Sequence, residues 1–188
     1  GESAITLGLL DAVHQNSSVS QRSMAAELGL IRLRSDVERK RLFGLGPLDQ
    51  SKSPTGEKLY TEEANQRTYE RLAELAGALL TSGLPVIVDS ACLKQSEREM
   101  MADVAESRGM PFALLHCEAP LESRKEWARN RSGDASEATE EFLEEQEAWL
   151  EPLTTEEKTH TIHLYTDQEH VGEAVADRIR QHFGLPGM

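Results

Sequence analysis

Leu30-Ile-Arg-Leu-Arg-Ser-Asp-Val-Glu-Arg-Lys-Arg-Leu42 is the stretch on which the reading of this chain turns. Its first five residues are apolar and β-branched enough for a strand, and from Asp36 on the composition is that of a charged helix. Ser35 followed by Glu38 is a capping-box pattern, which satisfies two orphan backbone donors where a helix begins. A turn at Ser35 and Asp36 would put the Asp36 carboxylate at the C-terminal end of a strand, where open α/β sheets hold their ligands. Arg39 falls one helical turn later, on the face of Asp36. An acid and a guanidinium held together there could orient a hydroxyl and an anionic substrate. An ordinary capped helix with an i,i+3 ion pair accounts for the same residues.

Outward from this stretch the pattern repeats. Residues 4–10 read as an apolar strand, 18–28 as a helix stopped by Gly29, and 44–58 as a Gly-, Pro- and Ser-rich loop. A long helix follows over 61–80, capped by Thr61, with Leu72, Leu75, Ala76 and Leu79 as its apolar stripe. Residues 85–89 are the clearest strand, a buried β-branched run closed by Asp89. A helix over 95–108, a strand over 112–117, an Arg-bearing helix over 121–131 and an acidic helix ending near Pro152 come next. A strand over 161–165 and an amphipathic helix over 170–183 close the chain. Strands alternate with helices and no tight hairpin signal joins two strands, which predicts a three-layer α/β/α domain around a five-stranded parallel sheet.

Composition bounds the function. The chain has 188 residues, 38% hydrophobic and 28% charged, with no linker that divides it, and reads as one soluble domain over 1–188. Its formal charge of −13 argues against nucleic-acid binding through bulk charge, which needs phosphate-neutralising Lys and Arg. No apolar run approaches the roughly 18–20 residues of a membrane span, so no membrane partner is expected. The opening Gly-Glu-Ser is no signal peptide and reads as an expression scar or a cut from a longer chain. Cys92 and Cys117 have no metal-ligand spacing and adjoin apolar stretches, the pattern of buried, reduced thiols in a cytoplasmic protein.

The apolar run before Asp89 resembles a Walker B strand, whose acid positions magnesium. Arg124, Arg129 and Arg131 share one helix and suit the clamping of transferring phosphates, while a solvated face paired with the acidic segment after it fits them equally well.

Taken together, the stretches 32–45, 59–64, 67–72, 86–89 and 134–138 resemble a family of P-loop kinase-like ATP-binding domains, related to polynucleotide kinases, gluconate kinases and zeta toxins. That family often forms the C-terminal half of two-domain proteins with an aminoglycoside-phosphotransferase-like N-terminal half. The resemblance implies a phosphotransferase using ATP with magnesium on a hydroxyl of a small-molecule or nucleotide substrate. Asp36 would then activate the acceptor hydroxyl, Arg39 would contact the substrate, and Arg124, Arg129 or Arg131 would supply the clamp on lid-like helices over 121–151. Ser17 and Ser18 would stand at the hydroxyl positions of the phosphate loop, Ser18 and Asp89 on the magnesium side.

One motif departs from the family. A phosphate loop needs Gly-x-x-x-x-Gly-Lys-Ser/Thr, whose glycines let backbone N–H groups approach the phosphates and whose Lys neutralises their charge. The chain has Leu10-Asp-Ala-Val-His-Gln-Asn-Ser-Ser18 there, with no Gly between Gly8 and Gly29 and no Lys before Lys40. Asn16 stands where the Lys belongs. A degenerate nucleotide site, an engineered or misassembled segment and a phosphate site rebuilt from other residues all fit this departure. A non-catalytic binding or scaffold domain is therefore the alternative to an active kinase.

Overall fold

The computed structural model describes residues 5–10, 25, 28–49, 59–118, 120–130, 148–165 and 171–183. Five described strands, β1 (Ile5–Leu10), β2 (Ile31–Arg34), β3 (Val86–Ser90), β4 (Leu114–Glu118) and β5 (Thr161–Tyr165), form one sheet in the order β2-β3-β1-β4-β5. Every pairing is parallel, with Ile5 opposite Val86 and Arg34 opposite Asp89. The helices are α1 (Ser35–Leu42), α2 (Glu62–Thr81), α3 (Gln95–Glu106), α4 (Leu121–Asn130), α5 (Thr155–Thr159) and α6 (Val171–His182).

Burial follows from the period of each segment. Val86, Ile87 and Val88 of β3 are all at most 1% exposed, because this strand has neighbours on both edges and helices on both faces. Each such side chain stabilises the fold by about 1.5–3 kcal/mol relative to exposure. Val86 and Val88 pack with Tyr69, Leu72, Ala76 and Leu80 of α2 and with Met101 and Ala105 of α3. Ile87 points to the other layer, where Ala25, Leu115, Ile162, Leu164 and Ile179 gather. The stripe of α2 is rotated slightly from the expected one: Leu72 and Ala76 are buried as expected, but Leu80 is fully buried while Leu75 and Leu79 are only partly so.

Local signals set most boundaries. Thr61 caps α2 by accepting the Ala64 N–H at 3.1 Å. Gly83 at φ +77° and Gly109 at φ +62° take up the left-handed conformation just beyond α2 and α3. Cys92 and Cys117 are free and buried, as their apolar surroundings suggested.

The capping box of the opening stretch does not form. Ladder pairing of β2 runs through Arg34, and the helix begins directly at Ser35, so no turn residue is left between strand and helix. Ser35 becomes the first residue of α1, buried, and Arg34 flanks the helix without a side-chain cap. Glu38, freed from that role, binds Arg41 and lies 4.0 Å from Arg71 of α2. As an edge strand, β2 is half-buried along its whole length rather than central.

Candidate functional site

Parallel strands deliver their C-terminal ends to one rim, and a cavity of about 350 Å³ opens beside the ends of β2 and β3. Ser35 and Arg39 of α1 form one part of its wall. Asn65 and Tyr69 of α2 form another, with Tyr60, Thr61 and Glu62 at that helix's start. Ala91, Leu93, Lys94 and Glu97 come from the β3–α3 junction, and Trp149 from the segment before α5.

Arg39 is the most constrained of these. It is 7% exposed, and its terminal nitrogens donate to the Leu59 carbonyl at 2.9 Å and to Asn65 Oδ1 at 2.8 Å. The guanidinium lies 5.4 Å over the Tyr60 ring. Its Nε is buried and has no hydrogen-bond partner. A buried donor without an acceptor is costly, and Arg39 is among the residues that line the cavity. Asn65 passes the constraint on: its Nδ2 donates to Glu97 Oε1 at 2.5 Å, and Glu97 Oε2 accepts the Lys94 N–H at 3.1 Å. The Lys94 ammonium donates to Glu62 at 3.1 Å, a bond that raises its pKa above the ordinary value.

Below the cavity, Tyr69 Oη lies 2.9 Å from Ser90 Oγ and accepts the Cys92 N–H at 2.9 Å. That bond helps hold Cys92 at φ +45°, a conformation rare for a residue with a side chain. Burial pushes the Cys92 thiol up to about 12, and burial also raises the Tyr69 phenol well above its usual range. Neither group is an ionised nucleophile at neutral pH.

Of the residues singled out by sequence, Asp36, Arg39 and Asp89 fall beside the ends of β2 and β3, but they do not pair with one another. Arg39 faces Leu59 and Asn65 and forms no ion pair with Asp36, so the expected acid–guanidinium pair is absent. Asp36 is half-buried in the first turn of α1, next to Ser35 but not on the cavity wall. Its charge acts instead on Asp89, whose carboxylate is hydrogen-bonded by Arg32 and lies 3.6 Å from Arg34 Nε. Burial raises the Asp89 pKa above the usual value, and the two arginines oppose that rise. Arg129 is exposed on α4, and Arg124 belongs to the same helix. Ser17, Ser18 and Arg131 lie outside the described residues. Asn65, Tyr69, Glu97 and Trp149 were not anticipated. Their local signals are ordinary, and only tertiary packing, of α2 against α3 and β3 and of the segment holding Trp149 against α3, brings them to the cavity.

The parallel order β2-β3-β1-β4-β5, with a cavity at the strand ends, is that of a P-loop NTPase of the kinase-like group. The chain belongs to the AAA_33 family, described as an AAA domain, whose model matches residues 17–153. The match begins at Ser17, so of the segment that departs from the phosphate-loop pattern it takes in only Ser17 and Ser18. Comparison with curated protein sequences finds no match. Among solved structures the fold is similar to a sugar kinase from Janibacter sp. (21% identity, TM-score 0.65, 98% of this chain and 95% of that one). It is also similar to a gluconokinase from Sinorhizobium meliloti (18%, TM-score 0.63, 97% and 95%). An APS kinase from Mycobacterium tuberculosis matches at 15% and a TM-score of 0.55, over 98% and 99%. At these identities the likeness is one of fold.

Proposed function

We propose that this chain is a domain of the small-molecule kinase type whose retained activity is on the acceptor side. A hydroxyl-bearing acceptor enters the cavity, an oxygen of it accepts from the Arg39 guanidinium, and a hydroxyl is presented toward Asp36, the residue after the cavity-lining Ser35. The observation that carries this reading is Arg39, a buried cation among the cavity-lining residues, its guanidinium held by two hydrogen bonds and its Nε unpartnered. The similar structures, a sugar kinase and a gluconokinase, support a polyhydroxylated acceptor.

Proteins of this class use ATP with magnesium, which supply the phosphoryl group and neutralise its charge. The described residues do not fit that pair as they stand. Asp89, the expected magnesium-side acid, is occupied by Arg32, and no group of three His, Cys, Asp or Glu side chains among the described residues could hold a metal. Segment 11–18 lies outside the described residues and carries neither Gly nor Lys. These observations favour a second reading, in which the domain binds its acceptor without transferring phosphate to it.

Calorimetric titration with a panel of sugars and sugar acids, followed by an ATP-turnover assay with the best binder, tests both. Saturable binding that weakens about 10–100-fold in Arg39→Met, with Arg39→Lys intermediate, is the expected result. Turnover lost in Asp36→Asn would establish transfer, and binding without turnover would establish the second reading. No saturable ligand in the panel, or binding indifferent to Arg39, would overturn the acceptor assignment.

A further inference from the structure

Tyr60 and Trp149 both line the cavity, and both are large aromatic side chains with much of their surface in solvent, 40% and 50% exposed. Two such rings at one cavity that also carries charged side chains are a feature the acceptor reading by itself does not use. Trp149 is held there by its neighbours: the Glu151 N–H donates to the Leu93 carbonyl at 2.9 Å, and the Glu151 carboxylate accepts the Gln95 N–H at 2.6 Å. Arg98, 1% exposed, donates to the Pro152 carbonyl at 3.2 Å and to Glu157, so the segment after the indole is tied to α3. The indole is thus carried on a fastened strip of backbone rather than on a free end.

Behind the aromatic mouth stand acceptors rather than a flat apolar slot. Glu97 is buried, and each of its oxygens takes one described hydrogen bond, from Asn65 and from the Lys94 N–H. A carboxylate has about four lone-pair sites, so roughly two are left for donors of a ligand. Glu62 and Ser35 line other parts of the same cavity. A ligand that suits this set presents several O–H donors along one edge and an apolar C–H face against an aromatic ring. A cyclic sugar does both. An open-chain polyol has the donors without the face, and a nucleobase has the face with few donors.

We infer that Trp149, with Tyr60, is a specificity-determining residue that selects a pyranose-type ring over an open-chain polyol. This rests on the reading of the cavity as the acceptor site. The ring's axial C–H groups, slightly positive, lie on the electron-rich indole face while its hydroxyls bond Glu97 and Ser35.

The test uses the full chain with Trp127→Phe, so that Trp149 is the sole fluorophore of its type. Methyl glucopyranoside, sorbitol and uridine are titrated while indole emission is followed, and calorimetry on the unmodified chain runs in parallel. The expected result is a saturable emission change with methyl glucopyranoside, at an affinity about 3–10-fold better than that for sorbitol. Trp149→Ala should remove that preference and Trp149→Phe should largely keep it, with circular dichroism unchanged in both. Binding of sorbitol at equal affinity, binding of methyl glucopyranoside that leaves the indole emission unmoved, or a preference for uridine would overturn the ring assignment while leaving the acceptor site standing. No heat and no emission change with any of the three, and none with the sugar acids, would overturn both.

Discussion

Replacing Arg98 with Met should reveal how much of this fold hangs on one buried cation. Arg98 is 1% exposed, and the Glu157 side chain is 13% exposed. Its guanidinium donates to both Glu157 oxygens, at 2.5 and 3.2 Å, and to the carbonyls of Cys92, Leu93 and Pro152 at 3.3, 3.1 and 3.2 Å. Met preserves the aliphatic stem and removes every donor. Breaking a buried ion pair by deleting one partner costs about 3–5 kcal/mol, and because Glu157 keeps some contact with water the lower end is expected here. At about 2–4 °C per kcal/mol for a chain of this size, a loss of ~3 kcal/mol lowers Tm by about 6–12 °C. Burial pushes the Glu157 carboxyl up, but its hydrogen bonds with Arg98 and Thr154 outweigh this, and the net shift is downward. A carboxylate with a lowered folded pKa contributes stability above its unfolded value, about 4.3, and loses it as pH falls through the folded value. The gap between the parent chain and Arg98→Met should therefore be full at pH 7 and narrow below about pH 4.3. Thermal melts followed by circular dichroism over that range measure it. A drop of less than about 2 °C at pH 7, or a gap that widens on acidification, would refute the reasoning.

Tyr69→Phe removes the acceptor of the Cys92 N–H and a partner of Ser90, and should cost about 1–3 kcal/mol in urea unfolding, with a much smaller loss if water replaces the hydroxyl. Gly77→Ala places a Cβ 2.5 Å from Arg108 Nη2, the far end of a flexible, exposed side chain that can swing away. Helix propensity then favours Ala by about 1 kcal/mol, so the melt should show no loss, and a marked destabilisation would mean the guanidinium is pinned. With Cys92 pushed up to about 12 and both thiols buried, a thiol reagent at pH 8 should react only after denaturant is added. Rapid labelling of the native chain would contradict that burial.

The alternation of strands and helices was legible because it is written locally. The β-branched run before Asp89, the Thr61 cap and Gly83 and Gly109 each act over a few residues, and the structure shows each in its expected role, while most of the helix expected before Gly29 lies outside the described residues. The Ser35–Glu38 pattern was equally local and still misled. Whether Ser35 caps or joins the helix depends on where β2 stops pairing with β3, and that ladder spans residues more than fifty apart in sequence. Asp36 and Arg39 were correctly brought to the strand-end rim, but their partnership was not.

By itself the sequence determined a parallel α/β chain and showed that residues 11–18 lack the glycines and lysine of a phosphate loop, since both follow from residue types and short spacings, while the kinase-like kind came from its resemblance to a family. Which side chain meets which was decided only by tertiary packing. Arg39 reaches Asn65 across 26 positions, Asn65 reaches Glu97 across 32, and Gln95 reaches Glu151 across 56. A buried guanidinium or carboxylate takes the partner that the packed helices leave within about 3 Å. Here that rule turned Arg39 toward the cavity, closed Arg32 onto Asp89 and placed Trp149 at the cavity mouth.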